Sequence, residues 1–198
     1  MPKSFSQFKY EDIAALGVDL QLKTLFTDLK ESTPSDFLTQ TLQRNTKRFF
    51  TTEKAKSEFI IAPVLYEFAL NNEDSIAFFS GSSFDVDKAR GLKGFCDFLF
   101  TKNPTSPIIK EPVFCVVEAK NDNLDSGIPQ CIAEMYAAQL FNERQQKPIE
   151  AIYGCVTTGY MWLFLVLKNT TVYQDTSTFT IEQLPKILGI LQRIVENT

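Results

Sequence analysis

The spacing of apolar residues changes along the chain from a helical to a strand-like period. From Thr52 to residue 70, apolar residues recur at helical spacing, which predicts a helix of about five turns with Thr51 or Thr52 as its N-cap. Pro63 should bend or split this helix, because proline lacks a backbone N–H and its ring crowds the preceding turn. The later patterns predict strands at 75–84, 94–100, 113–120, 149–157, 160–167 and 171–174, and helices at 125–146 and 181–195.

Residues 1–50 have the least regular pattern. Apolar residues over 10–29 follow a mixed helical spacing, a Ser/Thr/Pro stretch at 32–35 interrupts it, and a second apolar pattern covers 36–50. We predict two short helices or a helical arm here. The sequence therefore divides into a helical N-terminal extension, residues 1–50, and a main domain, residues 51–198.

The order of the predicted elements indicates the fold class. The chain begins its main domain with a helix and three consecutive strands, and continues with a second helix, further strands and a last helix. This order predicts an α/β fold, a three-layer α-β-α sandwich with a mixed central sheet. The run 113–120 is almost continuously apolar, which predicts a strand covered on both faces. Three consecutive strands argue against a Rossmann fold or a barrel, in which strands and helices alternate.

The amino-acid composition excludes several classes of catalytic mechanism. The chain has 198 residues and no histidine, which excludes Ser-His-Asp and Cys-His triads, histidine-ligated zinc and a histidine general base. Any catalysis must use carboxylates, Lys, Tyr, Ser, Thr, Cys or a metal held by oxygen. The net charge of −4 argues against coating of nucleic acid through bulk charge, although a local basic patch or a metal ion could still bind it.

The cysteines and the N-terminal residues indicate the cellular compartment of the protein. The four cysteines are widely spaced and lie in or beside apolar runs, which predicts buried, reduced thiols in a reducing compartment. The first residues lack the apolar core of a signal peptide, and the longest apolar run, 160–167, is too short to span a bilayer. We therefore expect a cytoplasmic protein. The cysteines are Cys96, Cys115, Cys131 and Cys155.

Two predicted strands carry charged residues among apolar ones. Asp97 lies among aromatic residues in the second strand, and Glu118 and Lys120 close the third. Because side chains alternate along a strand, Glu118 and Lys120 share a face and would converge with Asp97 if the two strands pair. Two carboxylates and a backbone carbonyl supply the oxygen ligands that Mg²⁺ prefers, and a nearby lysine can position water. A salt bridge at the strand end, with no metal, is the alternative.

This arrangement resembles the core motif of the PD-(D/E)XK nuclease superfamily, which has a restriction-endonuclease-like fold. Asp97 on one strand precedes Glu118-Ala-Lys120 on the next, and Cys96 stands where the family name has proline. The likeness covers roughly residues 52–176 and leaves the N-terminal segment outside it.

The resemblance extends to the neighbouring helices. Glu58 is similar to the acidic residue that the family places on the preceding helix. Gln130 matches in position the glutamine on the following helix, although Glu134 stands where some members have a tyrosine.

The resemblance implies a nuclease that uses Mg²⁺, or Mn²⁺ in its place, to hydrolyse phosphodiester bonds. Asp97 and Glu118 would bind the metal with the Ala119 carbonyl as a third ligand, and Lys120 would activate water. The helix glutamate would orient water or bind a second metal, and the helix glutamine would position the lysine or the scissile phosphate. The implied partner is nucleic acid, DNA in the first instance, and cleavage of both strands would suggest a homodimer.

Two sets of basic residues could contact phosphates. One set lies towards the end of the apolar pattern over 36–50, and a solvated helix face is the alternative explanation for it. The other set lies in the loop before the second strand. They are Arg44, Lys47 and Arg48, and Lys88, Arg90 and Lys93.

A second class of function remains open from the residues alone. A non-catalytic binding or assembly module on the same scaffold would keep Asp97, Glu118 and Lys120 as a structural charge triad. A small-molecule enzyme has little support, because the chain has no Gly-rich phosphate-binding loop.

Overall fold

The computed structural model describes residues 3–198, and across them the centre of the molecule is a seven-stranded mixed sheet. The spatial order is β1-β7-β6-β5-β4-β3-β2. β1 pairs with β7 and β4 with β5 in parallel, and the other neighbours are antiparallel. The strands are β1 (Asp19–Lys23), β2 (Ala77–Ser83), β3 (Phe95–Thr101), β4 (Val113–Ala119), β5 (Ile152–Thr157), β6 (Met161–Lys168) and β7 (Thr171–Thr180).

Helices cover both faces of the sheet. One face packs on α5, which α1 contacts, and the other packs on α4 and α6, with α2 against α4. The predicted three-layer α-β-α sandwich with a mixed central sheet is confirmed. All seven residues of β4 are buried because this strand is central and covered on both faces. The helices are α1 (Tyr10–Ala15), α2 (Asp36–Asn45), α3 (Glu53–Lys56), α4 (Ala62–Leu70), α5 (Ile128–Arg144) and α6 (Leu184–Glu196).

The predicted helix from Thr52 to residue 70 forms, and it continues through Pro63. The Thr52 side chain caps it by accepting from the Ala55 N–H at 3.2 Å. A π-helical turn, Ser57–Ile61, joins α3 to α4. Pro63 cannot donate to the carbonyl one turn earlier, that of Phe59, and the Asn45 side-chain amide donates to this carbonyl instead at 2.7 Å. Of the two predicted effects of Pro63, the split does not occur, because a π-helical turn and the Asn45 donor accommodate the proline.

The N-terminal segment differs from its prediction, because residues 19–23 form a strand rather than a helix. Gly17, at a positive φ of 78°, follows α1, and Asp19–Lys23 form β1, which pairs in parallel with β7. Leu38 and Leu42 of α2 lie in the same buried core as α4 and α6. The segment thus contributes a strand to the sheet and side chains to its core.

The last strand also differs from its prediction. β7 extends to Thr180, although the sequence pattern predicts it only over 171–174. Its second half is polar, so its own residues give little strand signal. Pairing with β6 brings Phe179 opposite Trp162, past an irregularity between Leu163 and Leu165 in β6.

The state of the thiols agrees with a further prediction. The four cysteines are buried and unpaired, as predicted. Within residues 3–198, no helix combines the length and the apolar character needed to cross a membrane.

Candidate functional site: an acidic cluster between β3, β4 and α5

The site forms where the ladder between β3 and β4 ends. The paired residues run from Thr101 and Val113 to Phe98 and Val117. One step further, the Ala119 N–H donates at 2.8 Å to the Asp97 side chain (Oδ2). The carboxylate is thereby fixed beside the end of β4, as the alternation of side chains predicts.

Glu118 is the most deeply buried acid of the predicted motif, with 1% of its surface exposed. Its Oε1 accepts from the Lys120 ammonium at 2.5 Å, whereas its Oε2 is buried without a hydrogen-bond partner. Burial raises the pKa of Glu118, the negative charge of Asp97 raises it further, and Lys120 offsets only part of the shift. The second oxygen of this carboxyl group therefore requires either a proton, which the raised pKa favours, or a cation.

A chain of hydrogen bonds continues from Lys120 into α5. The Lys120 ammonium also donates to the Gln130 side-chain oxygen at 3.1 Å, and the Gln130 amide donates at 3.1 Å to Oε1 of Glu134. The structure thus brings together Lys120 and Gln130, the pair that the family resemblance implies.

Glu134 is the site residue that the sequence pattern did not reveal. It is fully buried, and its Oε2 has no partner. Burial and the nearby charge of Glu118 raise its pKa well above the usual range. Its place one helical turn after Gln130 is the signal that could have found it, because residues four apart share a helix face.

The charges of this cluster do not balance. Three carboxyl groups, those of Asp97, Glu118 and Glu134, lie around the single Lys120 ammonium group, so the cluster would carry two negative charges if all were ionised. Burial raises the pKa of Asp97 as it does for the two glutamates. Burial is the largest single effect on Lys120 and opposes its charge, but Glu118, Glu53 and Asp97 together outweigh it, so the pKa of Lys120 is raised overall. The buried excess of negative charge needs protons or a cation.

The donor set fits a hard divalent cation. Within residues 3–198, no three or more acidic or cysteine side chains already converge as a metal-binding group. The predicted ligand set needs only two acidic side chains. Its donors are the Asp97 carboxylate, the free Oε2 of Glu118 and the backbone carbonyl of Ala119. The buried, unpartnered Oε2 of Glu118 is the observation that supports this fit.

Glu58 is not brought to the cluster, contrary to its predicted role. It is exposed, pairs with Lys54 at 3.7 Å, and lines a groove that also contains the Phe98 ring. Phe98 belongs to the opposite sheet face from its neighbour Asp97. Glu53, at the start of the same helix, makes a smaller contribution to raising the pKa of both Glu118 and Lys120.

A buried lysine holds α3 against the cluster. Lys56 donates to the Asn121 carbonyl at 2.5 Å and pairs with Asp122 at 2.8 Å. Since these residues directly follow Lys120, this contact fixes the first helical turn, and Glu53 with it, beside the end of β4.

Gly127 makes room for the lysine stem. A Cβ atom on Gly127 would lie 2.9 Å from Cγ of Lys120 and 2.6 Å from Cγ1 of Val156. The backbone before α5 therefore touches the Lys120 side chain, and only glycine leaves space for this approach.

The predicted basic residues have different surroundings. Lys88 pairs with Asp85 at 3.0 Å, and the Arg90 guanidinium lies over the Tyr136 ring and donates to its hydroxyl at 3.2 Å. The Lys93 carbonyl accepts a backbone hydrogen bond from Phe5. The other set is exposed at the end of α2 and in the turn after it: Arg44, Lys47 and Arg48.

No family model and no curated protein matches this chain. The resemblance to the nuclease superfamily therefore rests on the motif residues alone. Any assignment of function must come from the geometry and the charges of their side chains.

Proposed function

We propose that this chain is a divalent-metal-dependent nuclease that hydrolyses phosphodiester bonds of nucleic acid. One observation carries the proposal: Glu118 is buried beside Asp97 with its Oε2 unpartnered, while its Oε1 accepts from Lys120. The resemblance to the PD-(D/E)XK motif supports the same chemistry, because that motif combines two acids and a lysine on adjacent strands.

The site residues would have two kinds of role: some would bind the ion, and others would orient the groups around it. Asp97, Glu118 and the Ala119 carbonyl would hold Mg²⁺ or Mn²⁺. When bound, the ion supplies a Lewis acid for a phosphate oxygen and a more acidic water. Lys120 carries a raised pKa and is an ammonium at neutral pH, so it donates hydrogen bonds and stabilises developing negative charge rather than removing a proton. Gln130 positions Lys120 through its side-chain oxygen.

The proposal assigns the role of the helix glutamate to a different residue from the predicted one. Glu58 lines a separate groove, so within this proposal Glu53, whose charge contributes to the raised pKa of Glu118, would orient water or bind a second ion. The DNA substrate and the homodimer expected for cleavage of both strands remain predictions. Sedimentation of the full chain checks the second.

Calorimetric titration with Mg²⁺ and Mn²⁺ tests the proposal. Wild type should bind ions stoichiometrically, and Asp97→Asn and Glu118→Gln should each abolish binding and cleavage of plasmid and single-stranded DNA. Glu58→Gln is the matched control, because it neutralises an exposed acid of the neighbouring helix and should change neither. Cleavage that persists in Glu118→Gln, or wild type that binds no ion, would overturn the proposal.

A non-catalytic module is the second candidate, and the contact between Lys120 and Glu118 favours it. This pair already neutralises one carboxylate without any ion. In that case neither Mg²⁺ nor Mn²⁺ would raise the melting temperature of the wild-type protein. Replacement of Lys120 by methionine would then destabilise the fold by leaving Glu118 buried and unpaired.

A further inference from the structure

A small cleft lined by basic residues opens on the sheet face that α6 covers. It lies between the last turn of α6, the ends of β1 and β6, and the starts of β5 and β7, with a volume of about 270 Å³. Among the described residues that line it, three are basic and none is acidic. The basic and aromatic residues of its walls are Lys23, Phe26, Tyr153, Lys168, Tyr173 and Arg193.

Neutral groups hold two of these cations in place. Nη1 of Arg193 donates to the Thr27 carbonyl at 2.7 Å, and the Lys23 ammonium lies 4.9 Å from the centre of the Tyr173 ring. No ion pair among residues 3–198 includes Lys23 or Arg193. A carbonyl oxygen or a ring face orients a cation without cancelling its charge, so both charges remain available to an anion.

The third cation of the cleft is shared with an acid outside it. Lys168 pairs with Glu150 at 2.5 Å, but the Glu150 side chain is 82% exposed and is not part of the cleft wall. An exposed pair of this kind contributes little free energy, so an anion in the cleft can compete for Lys168. The three cations give the cleft a charge of +3, or +2 if Glu150 is counted.

Polar groups beside the cations offer hydrogen bonds. Tyr153 is 6% exposed, and burial raises its pKa, although a hydrogen bond with Asn197 and the charge of Lys168 act in the opposite direction. Its hydroxyl is therefore protonated at neutral pH and is able to donate. A phosphate monoester carries a charge of about −1.5 to −2 and three acceptor oxygens, which matches this set of cations and donors better than a single carboxylate does.

The cleft is separate from the acidic cluster. Tyr153 lies four residues before Thr157, which pairs with Ala119, so about 13 Å of strand separates the two places. Tyr153 also packs in the core under α4 and α6, whereas Gln130 and Glu134 belong to α5 on the other face of the sheet.

We propose that this cleft binds a small phosphate monoester, whose phosphate group is held by Lys23, Lys168 and Arg193. The volume is close to the lower end of the usual range of ligand pockets, about 300–1,000 Å³, so the ligand is a small molecule. The rings of Phe26 and Tyr173 contact its organic part. The inference does not rest on the proposed nuclease function, because it uses none of the residues of the acidic cluster.

Calorimetric titration of the full chain in EDTA tests the inference, because the chelator removes any divalent ion from the acidic cluster. The probes are adenosine 5′-monophosphate, inorganic phosphate and adenosine. Wild type should bind the monophosphate, should bind inorganic phosphate more weakly, and should not bind adenosine. The first comparison distinguishes a phosphate monoester from free phosphate as the ligand, and the second shows that the phosphate group is required.

Charge-neutralising variants locate the bound phosphate. Arg193→Gln and Lys23→Gln should each weaken binding of the monophosphate about 5-fold or more, because each removes a hydrogen bond between charged groups. Lys23 is exposed, so its variant should keep the fold. Glu150→Gln should strengthen binding about 2-fold by releasing Lys168, a gain that misfolding cannot produce. Lys186→Gln is the control, because Lys186 is an exposed residue of α6 outside the cleft and should have no effect.

Several results would overturn the inference. One is the absence of binding of the monophosphate, and another is equal affinity for inorganic phosphate, which would leave the organic part without a role. Binding that Arg193→Gln and Lys23→Gln both leave unchanged would place the phosphate elsewhere on the molecule. A short oligonucleotide that binds more tightly than the monophosphate, and that both variants release, would assign the cleft to a nucleic-acid backbone instead.

Discussion

The Asp97 carboxylate accepts a hydrogen bond from the Ala119 backbone N–H at 2.8 Å, at the point where the ladder between β3 and β4 ends. A side chain takes the place that a backbone carbonyl would hold in a continued ladder. The same contact satisfies a strand-end donor and sets a carboxylate beside Glu118, so it links stability to the site.

Substitution of Asp97 separates these two roles. Asp97→Ala leaves the Ala119 N–H without its partner and should lower the free energy of unfolding by about 1–3 kcal/mol, with loss of ion binding. Asp97→Asn keeps an acceptor oxygen and should recover most of the stability without recovering ion binding. Urea unfolding and calorimetry on both variants check this. Equal stability losses in the two variants would contradict the assigned hydrogen bond.

Gly127→Ala should disturb the lysine without changing any charge. The new methyl group would lie within 2.9 Å of the Lys120 stem and 2.6 Å of Val156, so one of them must move. We expect a destabilisation of about 1–3 kcal/mol from overpacking and a fall in kcat, with ion binding largely kept. Thermal unfolding and single-turnover cleavage measure the two effects. An unchanged kcat would show that Lys120 does not depend on this contact.

Stability should depend on pH through the buried carboxyl groups. The pKa of Glu118 in the folded protein lies above its ordinary value of 4.5, so the folded state holds a proton that the unfolded state releases first. The ion-free protein should therefore lose stability as pH rises above 4.5 and through the raised pKa. Glu118→Gln should flatten this loss, which urea midpoints across the pH range would show. A wild-type profile as flat as that of the variant would contradict the raised pKa.

Ion binding should show the opposite trend with pH. Protons and Mg²⁺ compete for Asp97 and Glu118, whose pKa values are both raised by burial. The apparent affinity for Mg²⁺ should increase with pH, and binding should release protons. Calorimetry in two buffers of different ionisation enthalpy measures this release. Zero proton release at neutral pH would place the ion elsewhere.

Lys56→Met tests the contact that holds α3 at the site. The buried ammonium group donates to the Asn121 carbonyl, which the variant would leave unpaired, and we expect a loss of about 1–3 kcal/mol. Lys54→Met is the control, because Lys54 is exposed and its pair with Glu58 should contribute little. Chemical unfolding compares the two. Similar small effects would contradict a structural role for Lys56.

Local physical chemistry made several elements predictable. The Thr52 cap depends on a side-chain oxygen reaching an N–H within the same turn, and Pro129 suits the first turn of α5 because it needs no donor there. The continuous apolar run of β4 similarly predicts its central place in the sheet. These features are set by neighbours in sequence, so the sequence carries them.

Elements that depend on distant partners were not predictable. β1 has five residues, mostly exposed, and forms a strand only because β7 offers it an open edge. The polar second half of β7 is extended because β6 pairs with it. In both cases the partner supplies the hydrogen bonds and the pattern of the segment itself is weak.

The sequence by itself determined the α/β class and the shared face of Glu118 and Lys120, because side-chain alternation follows from the local pattern; the meeting with Asp97 also required β3 and β4 to pair. Tertiary structure alone decided the surroundings of Glu58 and the burial of Glu134 beside Gln130. Helix rotation is set by contacts such as that of Lys56 with Asn121, and burial by the packing of α5 on the sheet. The charge environment of the site is a property of the packed layers, which no single segment encodes.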